Sequence, residues 1–251
     1  MNIGLIGKYL VHSFSPNYFT EKFTILGLKE HSYKAFELAE MSETALNELI
    51  LEEKLNGFNI TIPYKESILL VLNELSADAA IIGAVNTVAV KWEDNNSYTL
   101  KGYNTDWTGF LKAIRPFLTL HHQKALILGT GGASKAIAYA LKSLGIDYYF
   151  VSRTKNLEHS NCFLYSELNE FVMKHFKLII NTTPLGTFPE IENTPAIPYH
   201  FIGHEHLLCD LVYNPAETQF MKLGKANGAA VINGLGMLQF QADEAWAIWN
   251  K

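Results

Sequence analysis

Cysteine is scarce in this 251-residue chain: Cys162 and Cys209 alone leave no disulfide framework and have no metal-ligand spacing. A reducing compartment follows, with Cys209 as a structural residue inside "LLCDLVY". No basic run stands out, and a formal net charge of -5 argues against a nucleic-acid partner. No segment approaches 18 consecutive apolar residues, and "MNIGLIGKYL" lacks a basic region ahead of a long apolar stretch, so neither membrane spanning nor secretion is supported. The expected address is cytoplasmic. Internal repeats and low-complexity segments are absent too, which leaves an ordinary globular composition with 48% apolar and 18% charged residues.

Short strand-like runs alternate with helix-like patterns, predicting an α/β fold with largely parallel sheets. "NIGLI", "SYKAF", "GFNITIP", "GAVNTVAV" and "SYTLKGY" read as strands of a first part, the last two as an antiparallel hairpin. Ser15-Pro16 reads as N-cap and first residue of a helix reaching Leu26, stopped by Gly27. "SETALNELI" and "YKESILLVLNEL" read as further helices. The pattern restarts with "KALIL", a helix from about Ala133 to Leu144, "YYFV", "LIINTT", "LLCDLVY", the helix "ETQFMKLGKAN" and "AAVIN". A boundary is expected near Tyr103 to Trp107. In the last stretch, Leu238, Ala242, Ala245, Trp246 and Trp249 have helical spacing, and this helix is expected to pack back on the first half.

Gly129, Gly131 and Gly132 follow an apolar strand and precede a helix, the context of a dinucleotide-binding turn. Glycine lets the backbone approach a pyrophosphate, and the helix N-terminus favours its charge. Ser134 stands at the third fingerprint position. Where an NAD site offers an acidic residue about 20 residues on, the strand "YYFV" ends in Ser152, Arg153, Thr154 and Lys155. Those groups suit a 2'-phosphate.

"GFNITIPYKE" is unusual for a buried strand. Phe58, Ile60 and Ile62 are expected on one face, with Asn59 and Thr61 on the other. Lys65 is expected near the start of a helix, where an ammonium opposes the macrodipole and calls for a partner. Asn86-Thr87 interrupts an apolar strand, and Ser13 and Ser15 sit at a strand-to-helix turn. Together these strand-end groups point to a pocket for a small polyhydroxylated molecule. Asp106 lies at the junction, where it also suits a helix's first turn.

The motifs "HSFSP", "NITIPYKE", "GAVNT", "GYNTDWTGF", "GTGGASKAI", "SRT", "NTTPLG", "DLVYNP" and "NGLGMLQFQA", in this order, resemble the shikimate/quinate dehydrogenase family over nearly the whole chain. The resemblance implies an N-terminal α/β substrate domain (residues 1–104, completed by 237–251) and a Rossmann-type NADP-binding domain (105–236). It implies reversible, NADP-dependent reduction of 3-dehydroshikimate to shikimate by a monomer or homodimer. It assigns Lys65 and Asp106 as the catalytic pair. Ser13 and Ser15, helped by Tyr213, would bind the substrate carboxylate, while Asn59, Thr61, Asn86 and Gln241 would hold ring hydroxyls. NADP would meet Gly129, Thr130, Gly131, Gly132, Ala133, Ser134, Ser152, Arg153, Thr154, Thr182, Leu211 and Gly234. Tyr64 where many relatives have His, "SRT" in place of "NRT", and a short chain are departures. Three alternatives stay open: a quinate/shikimate enzyme accepting NAD, a non-catalytic NADP sensor, and a metal protein built on His200, His204 and His206.

Overall fold

The computed structural model describes residues 1–10, 13–154 and 161–251. The chain divides into two compact units, one of Met1–Asp106 with Gln241–Lys251, the other of Trp107–Phe240. The first unit runs β1 (Asn2–Gly7), α1 (Phe14–Ile25), β2 (Ser32–Glu37), α2 (Glu43–Glu53), β3 (Gly57–Ile60), a 3-10 helix (Ser67–Val71), β4 (Glu74–Leu75), α3 (Ala77–Ile82), β5 (Thr87–Trp92) and β6 (Tyr98–Tyr103). Its sheet has the order β2-β1-β3-β5-β6-β4. β1, β2 and β3 are parallel, but β5 pairs antiparallel with both β3 and β6. This sheet is therefore mixed rather than largely parallel, because the turn-rich "KWEDNN" closes a hairpin.

Alternation along the strands builds a cluster on each face. Ile6, Phe58, Ile60 and Val88 join one, while Ile3, Leu5, Phe19 and Tyr33 join the other. Ala242, Ala245 and Trp249 of the last helix complete the second cluster. Trp249 Nε1 donates to the Val88 carbonyl at 2.9 Å. A Cβ on Gly57 would lie 2.3 Å from that ring nitrogen, so β3 must carry glycine where the indole crosses it.

Three local expectations are corrected here. α1 begins at Phe14, with Ser13 at the N-cap position, so Ser15 and Pro16 lie inside its first turn. The chain leaves the sheet after Ile60: Tyr64 N bonds Thr61 O in a turn, and Ile62 is exposed rather than core-facing. "YKESILLVLNEL" forms no α-helix. Asn73 bonds Leu100 through both its backbone N-H and its side-chain oxygen, and β4 then pairs with β6, which draws the end of the segment into the sheet and leaves only a 3-10 helix over Ser67–Val71.

The second unit takes up α4 (Asp106–Ile114) from Trp107 onward. It continues with β7 (Lys124–Leu128), α5 (Gly132–Ser143), β8 (Asp147–Ser152), β9 (Cys162–Leu164), α6 (Glu170–His175), β10 (Leu178–Asn181), β11 (Leu207–Asp210), α7 (Gln219–Ala226), β12 (Ala230–Ile232) and α8 (Leu235–Trp249), which enters the first unit at Gln241. Its sheet is parallel, in the order β12-β11-β10-β7-β8-β9. Strand order reverses between β7 and β10, the switch point of a doubly wound dinucleotide fold. Central strands are buried on both faces, as "KALIL", "LIIN" and "LLCD" imply.

Candidate active site

In the first unit, polar side chains converge at the ends of β3, β5 and β6. Lys65, in the turn after β3, points its Nζ at Asp106 Oδ2, 2.6 Å away. Its backbone oxygen is held by Val85 N at 2.8 Å. No α-helix starts at Lys65, so the macrodipole account of its partner is replaced by this ion pair. Side-chain exposure is 17% for Lys65 and 6% for Asp106, so the pair is largely withdrawn from water. Asn104 Oδ1 accepts from Asp106 N at 3.1 Å, fixing the carboxylate at the first residue of α4, where the helix end favours its charge.

Asp106 Oδ1 accepts from Asn86 Nδ2 at 2.9 Å. The Asn86 amide cannot turn over freely, because its Oδ1 accepts from Thr105 N at 2.6 Å. Gln241, the first α8 residue of this unit, brings its Oε1 to 3.2 Å from Asn86 Nδ2 and 3.3 Å from Thr105 Oγ1. Lys65, Asp106, Asn86 and Gln241 thus form one connected group.

Asn59 lies on the face of β3 opposite Phe58, as alternation requires, but its amide is fully engaged. Its Oδ1 accepts from the Tyr33 hydroxyl at 2.7 Å, and its Nδ2 donates to Asn86 O at 3.1 Å and to Thr87 Oγ1 at 3.0 Å. Such saturation makes Asn59 a support for its neighbours. Thr61 and Ser13 are half-buried, and the Ser13 hydroxyl makes no cap bond to α1. Ser15 is buried. Tyr64, in place of His, bonds the Leu38 carbonyl at 2.6 Å. Tyr33 and Thr105 belong to this network although sequence reasoning gave them no role, and Thr87, singled out there with Asn86, joins them. A signal for Thr105 was present: within Met1–Asp106, Asn-Thr occurs twice, at 86–87 and 104–105, where β5 begins and just past the end of β6.

The second unit has its own constellation along one sheet edge. Gly129 N bonds Val151 O, Thr182 N bonds Leu128 O, Leu211 N bonds Asn181 O and Gly234 N bonds Val212 O. This line of residues just past the carboxyl ends of parallel strands is where such sheets bind ligands. Gly129 has φ +106°, and a Cβ there would lie 2.9 Å from Thr182 Oγ1, so no other residue fits comfortably. Thr182 Oγ1 donates to Leu128 O at 2.6 Å, bracing the turn from below. Gly131 is the N-cap of α5, with open space where a side chain would be. First-turn amides of a helix lack internal carbonyl partners, so Gly131, Gly132 and Ala133 can present N-H groups to a diphosphate. Ser134 is buried and donates to Gly131 O at 2.6 Å, which is why serine serves at the third fingerprint position. A Cβ on Gly234 would lie 2.1 Å from Leu211 O. Ser152 closes β8, and Arg153 and Thr154 follow it into solvent. Lys155 lies outside the described residues. This donor set, with an open glycine cradle and a cation at the end of β8, fits NADP. Tyr213 is half-buried in the loop after β11 of the same unit.

Asp210, at the end of β11, accepts from Asn181 Nδ2 at 2.9 Å, Val212 N at 3.0 Å and Thr218 Oγ1 at 2.5 Å. Burial pushes its carboxyl up to about 6 despite these bonds. Because the folded value lies above the unfolded one, the stability this group contributes is full below about pH 4 and lost as pH rises through about 6. Asp210→Asn keeps the shape and removes the charge. Urea unfolding should find the variant level with the parent near pH 4 and roughly 2 to 3 kcal/mol more stable at pH 7. A difference that does not change with pH would refute this assignment.

The histidine cluster is not built as a metal site. His206 is buried, with Nδ1 accepting from Gly203 N at 3.0 Å and Nε2 at 2.9 Å from Met173 O, while His200 and His204 are exposed. Both ring nitrogens of His206 are thereby used by backbone.

Residues 5–88 match the family model described as "Shikimate dehydrogenase substrate binding domain". A relative from Methanococcus maripaludis, "Shikimate dehydrogenase (NADP(+))", is 37% identical over 98% of this chain and 90% of its own length. Among solved structures, shikimate 5-dehydrogenase from Thermus thermophilus, in complex with NADP(H) and shikimate, is similar with a TM-score of 0.83. It is 31% identical over 99% of this chain and 93% of its own. Quinate dehydrogenase from Corynebacterium glutamicum, in complex with NAD, has a TM-score of 0.84 at 25% identity, covering 99% and 93% of the two chains. With this similarity extending over nearly its full length, and with the polar strand ends and the glycine turn both in place, the chain belongs to the shikimate dehydrogenase family.

Proposed function

We propose that this chain reversibly reduces 3-dehydroshikimate to shikimate with NADP. In this reading the unit of Met1–Asp106 and Gln241–Lys251 holds the substrate and the unit of Trp107–Phe240 holds the cofactor. The observation that carries it is the withdrawn Lys65–Asp106 pair, 2.6 Å apart, in a chain of this family. NADPH supplies the hydride when bound.

Lys65 carries the proton side of the reaction. As a ketone is reduced, charge grows on its oxygen, and an ammonium placed there stabilises the alkoxide and delivers the proton. Asp106 orients that ammonium and accepts from a substrate hydroxyl. Asn86 holds the other carboxylate oxygen, and Gln241 and Thr61 face the ring hydroxyls. Ser13 and Ser15, with Tyr213, take the substrate carboxylate. Asn59 acts through Asn86 and Thr87 rather than by touching substrate. Gly129 to Ser134 receive the diphosphate, Ser152 to Thr154 the 2'-phosphate, and Thr182, Leu211 and Gly234 shape the floor of that site. The proposed setting is the cytoplasm, and the proposed assembly a monomer or homodimer.

One assay tests the reading: oxidation of shikimate and of quinate, each with NADP and with NAD, followed at the nicotinamide absorbance. Shikimate with NADP should give the highest kcat/KM of the four. Turnover of quinate with NAD at an equal or higher kcat/KM would overturn the assignment, as would absence of turnover with all four pairs.

A further inference from the structure

Behind the Lys65–Asp106 pair, a hydrogen-bond chain runs back through the sheet to a residue far from it in sequence. Tyr33, on β2, donates to Asn59 Oδ1 at 2.7 Å. The Asn86 carbonyl can only accept, so the Asn59 amide turns its two N-H groups to Asn86 O and Thr87 Oγ1 and its Oδ1 to the Tyr33 proton. Thr87 Oγ1, accepting from Asn59, has its own proton for Asn86 Oδ1 at 3.3 Å or Thr105 Oγ1 at 3.2 Å. Asn86 Oδ1 is in this way held by donors, so Asn86 Nδ2 must face Asp106. An inverted Asn86 would aim a carbonyl oxygen at a carboxylate. Two backbone groups set the directions, Thr105 N for Asn86 and Asn86 O for Asn59, and the Tyr33 hydroxyl closes the chain by giving the Asn59 oxygen its donor.

Tyr33 is placed to hold this role rigidly. Its ring stacks on Phe19 with centroids 4.5 Å apart, and it is buried. Burial pushes its phenol up, so it keeps its proton and donates to Asn59. Thr87 is 0% exposed.

We propose that Tyr33 is a positioning residue of this site, acting through Asn59, Thr87 and Asn86 to fix the Asp106 carboxylate that holds Lys65. The proposal rests on the assignment of Lys65 and Asp106 as the reacting pair.

Tyr33→Phe keeps the stacked ring and removes the hydroxyl. Thr87→Val keeps the shape of threonine and removes the middle of the chain, whereas Thr87→Ser keeps the hydroxyl. With folded protein verified by circular dichroism, kcat with shikimate should fall about ten-fold in Tyr33→Phe and in Thr87→Val, with KM for NADP unchanged. The double variant should also lose about ten-fold rather than a hundred-fold, because both changes break one chain. Thr87→Ser should restore most of the parent rate. Parent-level kcat in Tyr33→Phe, or losses that multiply in the double variant, would overturn the proposal while Lys65→Ala shows its loss of about 100-fold or more. A Lys65→Ala variant with near-parent turnover would overturn the site assignment itself, and this proposal with it.

Discussion

Lys65→Ala and Asp106→Asn should each lower kcat by about 100-fold or more, with a much smaller effect on the KM for shikimate, if the proposed pair acts on the reacting oxygen. The reason is that both groups act on charge present only as the ketone oxygen becomes an alkoxide, so their loss falls on the transition state and not on ground-state binding. A hundred-fold loss corresponds to about 2.7 kcal/mol, within reach of a positioned charge in a withdrawn site. Asp106→Asn is the cleaner variant. Its oxygen can still accept from Asn86 Nδ2, but its amide nitrogen would face the Lys65 ammonium, donor against donor, and Lys65 would lose its anchor. Lys65→Ala strips the partner from a carboxylate with 6% exposure, so its stability must be measured alongside its rate. Steady-state kinetics on both variants, with urea unfolding as the control, decides the matter. Near-parent turnover in either removes that residue from the mechanism.

Sequence revealed the second unit more fully than the first, for a physical reason. "KALILGTGGASKAI" contains its whole local specification: an apolar strand, a glycine at φ +106°, an N-cap glycine with open space and a helix ended by Gly145 in the left-handed region. Each step depends on neighbours within a few residues. By contrast, "YKESILLVLNEL" has helical spacing, yet its conformation is set by Leu100 and β6, some 27 positions further on. Short elements built on their own caps also escaped notice, such as α3 between Ser76 and left-handed Gly83, and α6 behind Asn169. In the site, Lys65 and Asp106 were joined as a pair only by the family's motifs, while Asn86 was readable as a polar group standing in an apolar strand. Tyr33 was not, since a tyrosine alternating into a core looks like any other aromatic. What sets it apart is a single hydroxyl bond to Asn59, 26 residues away, and only tertiary structure brings that bond together.

Cofactor choice gives the other large expected effect, and it rests on the end of β8. Arg153 is one of two arginines in the chain and lies exposed just past Ser152, with Thr154 N turned back on Ser152 Oγ at 3.4 Å. A guanidinium there can stack on an adenine plane and form paired, charge-assisted bonds to a 2'-phosphate, with the hydroxyls beside it as neutral donors. NAD presents a hydroxyl at the same place, so Arg153 loses a partner but stays solvated, and NAD binds more weakly without being excluded. Charge-assisted hydrogen bonds of about 1.5 to 3 kcal/mol correspond to roughly ten- to hundred-fold in affinity. Arg153→Asp should erode most of that preference, because a carboxylate repels the phosphate and can accept from a ribose hydroxyl. The effect should also shrink with added salt, since the contact is exposed. The measurement is kcat/KM for NADP over NAD at saturating shikimate, in the parent and in Arg153→Asp, at low and high ionic strength. A parent with no preference for NADP, or a ratio left unchanged by the substitution, would show that Arg153 does not clamp the phosphate and that selectivity lies elsewhere along the sheet edge.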